Sequence, residues 1–295
     1  RKIQNKIRTS NYISKSKHNV AHHYDLSDKL YELFLDPDRQ YSCAYFNSPN
    51  DTLEQAQINK KELISKKLLL EEGQSVLDIG CGWGGMAAHI YKKSNANVVG
   101  VTLSEEQYAY ANQRKINEKL DKVEYRLQDY RNVNETYDRI VSVGMFEHVG
   151  TSHYQEFFNK VNDLLNDTGV ALIHTIGRLT EPTNNDPWIE KYIFPGGYIP
   201  ALSETMSRVE KSGLALTDVQ VLRFHYAETL KRWRYNFYDN IDKVKELYDE
   251  KFCRMWDFYL SSSQASFEEA GLVVFQLQLS KNKKTVPDKR DYLLA

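Results

Sequence analysis

Cysteine is scarce in this chain: 295 residues hold three, Cys43, Cys81 and Cys253. An odd number at wide spacing argues against a disulfide framework and suits a reducing cytoplasm. Metal-ligand spacing is also missing. His18, His22 and His23 lie close together, but no Cys or carboxylate set accompanies them, so no metal is expected. Net charge is almost nil at −1, which leaves no signature of a nucleic-acid partner. No run approaches the roughly 20 apolar residues needed to span a bilayer, and no signal peptide is legible. Internal repeats and low-complexity tracts are absent too.

What is present is an ordinary globular balance, 41% hydrophobic and 27% charged, with 12% aromatics that include 20 Tyr. So many rings suit either a Tyr-rich core or a cavity walled by aromatic faces. The charge is unevenly placed. Arg1, Lys2, Lys6, Arg8, Lys15 and Lys17 fall in the first 17 residues without one acid. Such an arm fits a solvated linker or a contact with anionic lipid headgroups, each cation then contributing roughly 1 kcal/mol.

From about residue 73 apolar runs alternate with helical stretches, the pattern of an α/β fold with a parallel sheet. Strands are expected over residues 76–79, 97–103, 123–127, 139–143, 170–176, 216–224 and 272–279. Helices fill the intervals, one near residues 86–93. Another opens at Ser104, with Gln107 completing a capping box. The first 70 residues read as a basic arm and a helical segment, in which Thr52 and Gln55 cap a helix carrying Leu53, Ala56, Leu63 and Ile64. Residues 71–281 form the main domain, and 282–295 a tail. Residues 177–201 break the rhythm with four prolines, Trp188, Tyr192, Phe194 and Tyr198. An irregular aromatic insertion after a strand is placed to act as a lid or pocket wall.

The most informative stretch runs from Val76 to Gly85, Val-Leu-Asp-Ile-Gly-Cys-Gly-Trp-Gly-Gly. It contains the G-x-G-x-x-G of dinucleotide folds. However, Asp78 precedes the first glycine by two residues, and the second strand ends in Val-Thr-Leu with no acid to hold a ribose. The D-x-G-x-G-x-G form, through Asp78, Gly80, Gly82 and Gly84, instead resembles the first motif of class I methyltransferases. The resemblance implies S-adenosylmethionine lying against the glycine turn, where any Cβ would clash. Thr102, Ser104 and Gln107 would then stand in for the missing ribose acid, with Leu103 also against the cofactor. Asp129 and Tyr130 would lie by the adenine, and Tyr41 and Ser42 on the cofactor wall.

Several further segments follow in order: His23-Tyr24-Asp25-Leu26-Ser27, Tyr41-Ser42-Cys43-Ala44-Tyr45-Phe46, Gly144-Met145-Phe146-Glu147-His148, His174-Thr175-Ile176 and Phe194-Pro195-Gly196-Gly197-Tyr198. With the glycine turn they resemble cyclopropane fatty acid synthases and the related mycolic acid cyclopropane synthases, collinearly from about residue 20 to 280. The resemblance implies a Rossmann-like sheet with a helical and aromatic cap. It implies methylene transfer from S-adenosylmethionine to a cis double bond in an unsaturated phospholipid acyl chain. It also implies a bicarbonate ion as base, held by Cys43, Glu147, His174, Ile176 and Tyr226. Tyr24, Phe146 and Tyr198 are the aromatic residues expected in the cation pocket. A cytoplasmic enzyme peripheral to the inner membrane face, working as a homodimer, completes the picture. One departure is Ser263, where many relatives carry a cysteine, so no thiol nucleophile is offered there. The rival readings are an N-methyltransferase of a small amine, a non-catalytic lipid or S-adenosylmethionine module, and a nicotinamide oxidoreductase.

Overall fold

The computed structural model describes residues 27–294. The basic arm, the histidines at 18, 22 and 23, and Tyr24 lie outside the described residues. Two helices come first. Asp28–Phe34 (α1) is capped by Ser27, whose side chain accepts from the Lys29 N–H. Leu53–Lys67 (α2) is capped by Thr52, whose side chain accepts from the Gln55 N–H. A seven-stranded sheet follows, built from Ser75–Ile79 (β1), Asn97–Thr102 (β2), Val123–Leu127 (β3), Tyr137–Val143 (β4), Leu165–Arg178 (β5), Ala215–Leu222 (β6) and Leu272–Ser280 (β7). Its order is β3-β2-β1-β4-β5-β7-β6.

Strands β1 to β5 pair in parallel, joined by helices Gly85–Ser94 (α3), Glu105–Glu118 (α4) and Tyr154–Leu164 (α5). The apolar face of α5 carries Tyr154, Phe157, Phe158, Val161 and Leu164, a spacing of three and four that seals one side of the sheet. The expectation of a wholly parallel sheet is corrected at β7, which runs antiparallel to both β5 and β6. Intervals long enough for helices fit a parallel crossover, but the one between β6 and β7 does not make one. It holds three helices, His225–Asp239 (α8), Ile241–Leu247 (α9) and Glu250–Glu269 (α10), which leave the sheet after Leu222 and re-enter at the same end, where Leu222 of β6 pairs with Val274 of β7.

Those helices build a second core against α1. Trp233, Phe237, Trp256, Tyr259 and Leu260 pack there with Tyr31 and Phe34. Between β5 and β6 lie Pro187–Tyr192 (α6) and Leu202–Val209 (α7). The expected 104–107 cap forms in part. Ser104 Oγ accepts from the Gln107 N–H, while the Gln107 side chain turns away to accept from Thr102 Oγ1 at 3.1 Å. Among the described residues no helix is long and apolar enough to cross a membrane.

Candidate active site

The ends of five parallel strands meet the helical cap at two adjoining hollows. The first is the glycine turn. Asp78 and Ile79 end β1, and Gly80, Gly82 and Gly84 all take positive φ (+80°, +55° and +82°) before α3 begins. They do different jobs. A Cβ on Gly80 would press into Met145, and one on Gly84 into the Tyr125 ring; a Cβ on Gly82 would meet nothing nearer than Gln107 Nε2 at 3.9 Å. Gly82 therefore presents bare backbone to the hollow, which Asp78, Gly80, Thr102, Leu103, Gln107, Asp129, Tyr130, Tyr41 and Ser42 also line. Gly84 is absent from that wall and makes room for Tyr125, whose hydroxyl donates to the Gly84 carbonyl at 2.8 Å. Ser104 is occupied in capping α4. Both carboxylate oxygens of Asp129 accept from Arg131, the closer at 2.7 Å.

The second hollow is a cavity of about 1080 Å³. It brings together Cys43, Glu147, His174, Ile176 and Tyr226 although 183 positions separate the first from the last, and Tyr198 joins them. His174 and Ile176, two apart on β5, face the same way. Glu147 sits on a 3₁₀ turn after β4. Its Oε1 accepts from the Ile176 N–H at 2.6 Å, and Oε2 is buried without a partner. Burial lifts its carboxyl to about 7, against the pull of that N–H. The Nε2 of His174 is likewise buried and unpartnered, while Gln276 Nε2 lies 3.1 Å from Nδ1. An amide donating at Nδ1 leaves the ring proton on Nε2. Desolvation holds this imidazole far below its usual pKa, hence neutral. Burial pushes the Cys43 thiol strongly up, so it stays protonated, donating to the Ala44 carbonyl at 3.2 Å. Two unmet hydrogen-bonding atoms, in a cavity that a protonated thiol also lines, suit a small oxyanion that both accepts and donates, and bicarbonate is one.

Phe146 does not belong to this cavity. It is fully buried in the core under the sheet, 4.3 Å from Tyr154 and packed on Phe157 and Phe158. On a three-residue turn, neighbours point apart, so aiming Glu147 at the cavity sends Phe146 the other way. Tyr198 does line it, with its hydroxyl donating to Glu204 at 3.0 Å. Ser263 is on the wall too.

The two hollows share Tyr41, Ser42, Gly144 and His148. The strap of residues 40–44 is fixed by groups that pattern reading missed. Lys60, fully buried on α2, donates to Gln40 Oε1 at 2.6 Å and Ser42 Oγ at 2.9 Å. Gln57, one turn earlier, donates to the carbonyls of Gln40 and Ser42 at 3.1 and 3.0 Å. From the other side Thr229 accepts from the Ala44 N–H, and the Tyr41 and Tyr259 hydroxyls meet at 2.8 Å. Burial lowers Lys60 to about 8, with Asp36 opposing, and lifts Asp78 to about 7, with Lys60 opposing. A lysine amid a polar helix face reads as solvated, so only the fold reveals it.

Residues 12–277 match the family described as mycolic acid cyclopropane synthetase. A probable fatty acid methyltransferase of Pseudomonas putida is 39% identical over 267 residues, 88% of this chain and 68% of that protein. The cyclopropane-fatty-acyl-phospholipid synthase of Escherichia coli K12 is 41% identical over 259 residues, 88% of this chain and 66% of that protein. The chain thus spans about two thirds of the length of these relatives. A solved mycolic acid cyclopropane synthase complexed with SAH and CTAB shares the fold with a TM-score of 0.85, at 36% identity, over 90% of this chain and 98% of the other.

Proposed function

This chain belongs to the mycolic acid cyclopropane synthetase family of S-adenosylmethionine-dependent methyltransferases, and on that premise we propose that it is a cyclopropane-fatty-acyl-phospholipid synthase using bicarbonate as base. The observation that carries the reading is the common wall. The glycine-turn hollow and the cavity holding Glu147 and His174 meet at Tyr41, Ser42, Gly144 and His148, so a methyl donor in one and a proton acceptor in the other would lie side by side.

When bound, S-adenosylmethionine supplies an electrophilic sulfonium methyl, and bicarbonate supplies a proton acceptor. Gly80, Gly82, Thr102, Gln107, Tyr41 and Ser42 would hold the first; Cys43, Glu147, His174, Ile176 and Tyr226 the second. Overall the acyl chain gains one CH2 and one proton leaves. Glu147, titrating near neutrality, can donate from Oε2 when protonated or accept a hydroxyl proton when ionised. His174 stays neutral, so it donates from Nε2 without taking the proton for itself. Tyr226, Phe194 and Tyr259 present rings to the same cavity, and aromatic faces stabilise a desolvated cation by roughly 2 kcal/mol or more. An acyl chain filling the cavity would keep out water that would otherwise trap such a cation as an alcohol. The reading places the enzyme in the cytoplasm, at the inner membrane face.

Incubation with S-adenosylmethionine and unsaturated phospholipid vesicles, followed by mass analysis of the acyl chains, tests the proposal. A gain of one CH2 with loss of the alkene is expected. A gain of CH2 with the alkene or a methyl branch retained would assign a methylating enzyme instead.

A further inference from the structure

Residues of α6 and α10 that line the large cavity also reach solvent. Phe258 and Tyr192 are 52% and 47% exposed. Trp188 sits between them, edge-on to Phe258 at 4.7 Å and 5.5 Å from Tyr192. Lys251 and Arg254 line the rim, and Lys191 lies 4.7 Å over the Tyr192 ring. Three of the acids nearby have partners of their own. Asp186 Oδ1 accepts from the N–H groups of Trp188 and Ile189, and Asp249 Oδ1 from that of Phe252, so each neutralises a helix start. Glu250 faces Lys245. Among the described residues no carboxylate pairs with Lys191, Lys251 or Arg254. Exposed rings interleaved with cations that lack a carboxylate partner, at the mouth of a largely apolar cavity, match the chemistry of a membrane–water interface.

We propose that this mouth is the bilayer-docking face. Headgroup phosphates of anionic lipids rest on Lys191, Lys251 and Arg254, while Phe258 and Tyr192 sink among the upper acyl carbons, so that a chain passes from the leaflet into the cavity. The lipid occupant rests on the function proposed above. Helix α2 offers no comparable face, because Lys60, Lys61 and Lys67 are buried and bonded to Gln40, Asp38 and Gln220, and Lys66 donates to the Leu293 carbonyl.

Flotation of the full chain with phosphatidylcholine vesicles containing phosphatidylglycerol measures docking without turnover. The variant K251E/R254E should bind at least about tenfold more weakly, and Phe258→Ser should weaken binding in salt as well as in low salt. Both should keep the wild-type affinity for S-adenosylmethionine. An equal charge change at the β3 edge, K119E/K122E, should leave flotation unaltered. Unchanged flotation of K251E/R254E overturns the proposal, as does an equal loss in K119E/K122E. So does a loss confined to acyl chains delivered on an acidic carrier protein. If no acyl substrate gains mass with the wild type, the enzymatic reading fails while flotation still judges the docking face.

Discussion

In the proposed reaction Glu147 meets two demands in one side chain: a carboxyl must be buried beside the reacting atoms and still exchange a proton. Its folded value of about 7 against an ordinary 4.5 means that the folded state retains a proton that the unfolded chain releases. Stability from this group is therefore full below pH 4.5 and falls as pH rises through 7. Glu147→Gln is neutral throughout. It should gain thermal stability over the wild type between pH 5 and 8, by at most about 3 kcal/mol, and level off above. Turnover should fall about 10³-fold with S-adenosylmethionine affinity unchanged by calorimetry; parallel loss of affinity would make the residue a structural one. The glycines separate in the same way. Gly84→Ala drives a Cβ into Tyr125 at positive φ and should lose about 2–3 kcal/mol in chemical denaturation. Gly82→Ala, with open space in front of it, should lose only about 1 kcal/mol but weaken cofactor binding.

At the level of elements, the strap of residues 40–44 matters most, because it supplies walls to both hollows and has no strand to pin it. Its hydrogen bonds run instead to α2, through Gln57 and Lys60, and to α8, through Thr229. Lys60→Met would keep the volume and leave Gln40 Oε1 buried without a donor, costing about 1–3 kcal/mol. Because the strap then shifts, S-adenosylmethionine affinity should drop about tenfold, as titration calorimetry would record; unaltered affinity with lower stability would limit Lys60 to packing. Little of this was legible beforehand. The capping residues of α2 follow from its sequence, yet nothing local says that Lys60 turns inward, because that depends on Asp36, Gln40 and Ser42 arriving from another segment.

Across the whole molecule, the cofactor hollow draws on β1, β2, the ends of β3 and β4, and the strap, so a ligand there couples elements from residue 39 to residue 149. S-adenosylhomocysteine at one hundred times its dissociation constant should stabilise the fold by about 2.7 kcal/mol, raising Tm by about 4 °C in calorimetry for a chain of this size. A shift of that size with no change in vesicle flotation would show that cofactor binding and membrane docking are separate events. The cavity mouth lies on α6 and α10, which contribute nothing to the glycine turn.

By itself the sequence determined what is written in consecutive residues: the glycine turn after β1, the strand positions, the Thr52 and Ser104 caps, and the ordered segments bearing Cys43, Glu147, His174 and Tyr226. Backbone conformation there answers to neighbours a few positions away, so it can be read along the chain. The tertiary structure alone decided that β7 runs against its neighbours, that Phe146 and Gly84 serve the core, and that Lys60 is buried beneath the strap. Side-chain direction and strand sense depend on which distant elements pack together. Those contacts form only when segments from opposite ends of the chain meet across the sheet.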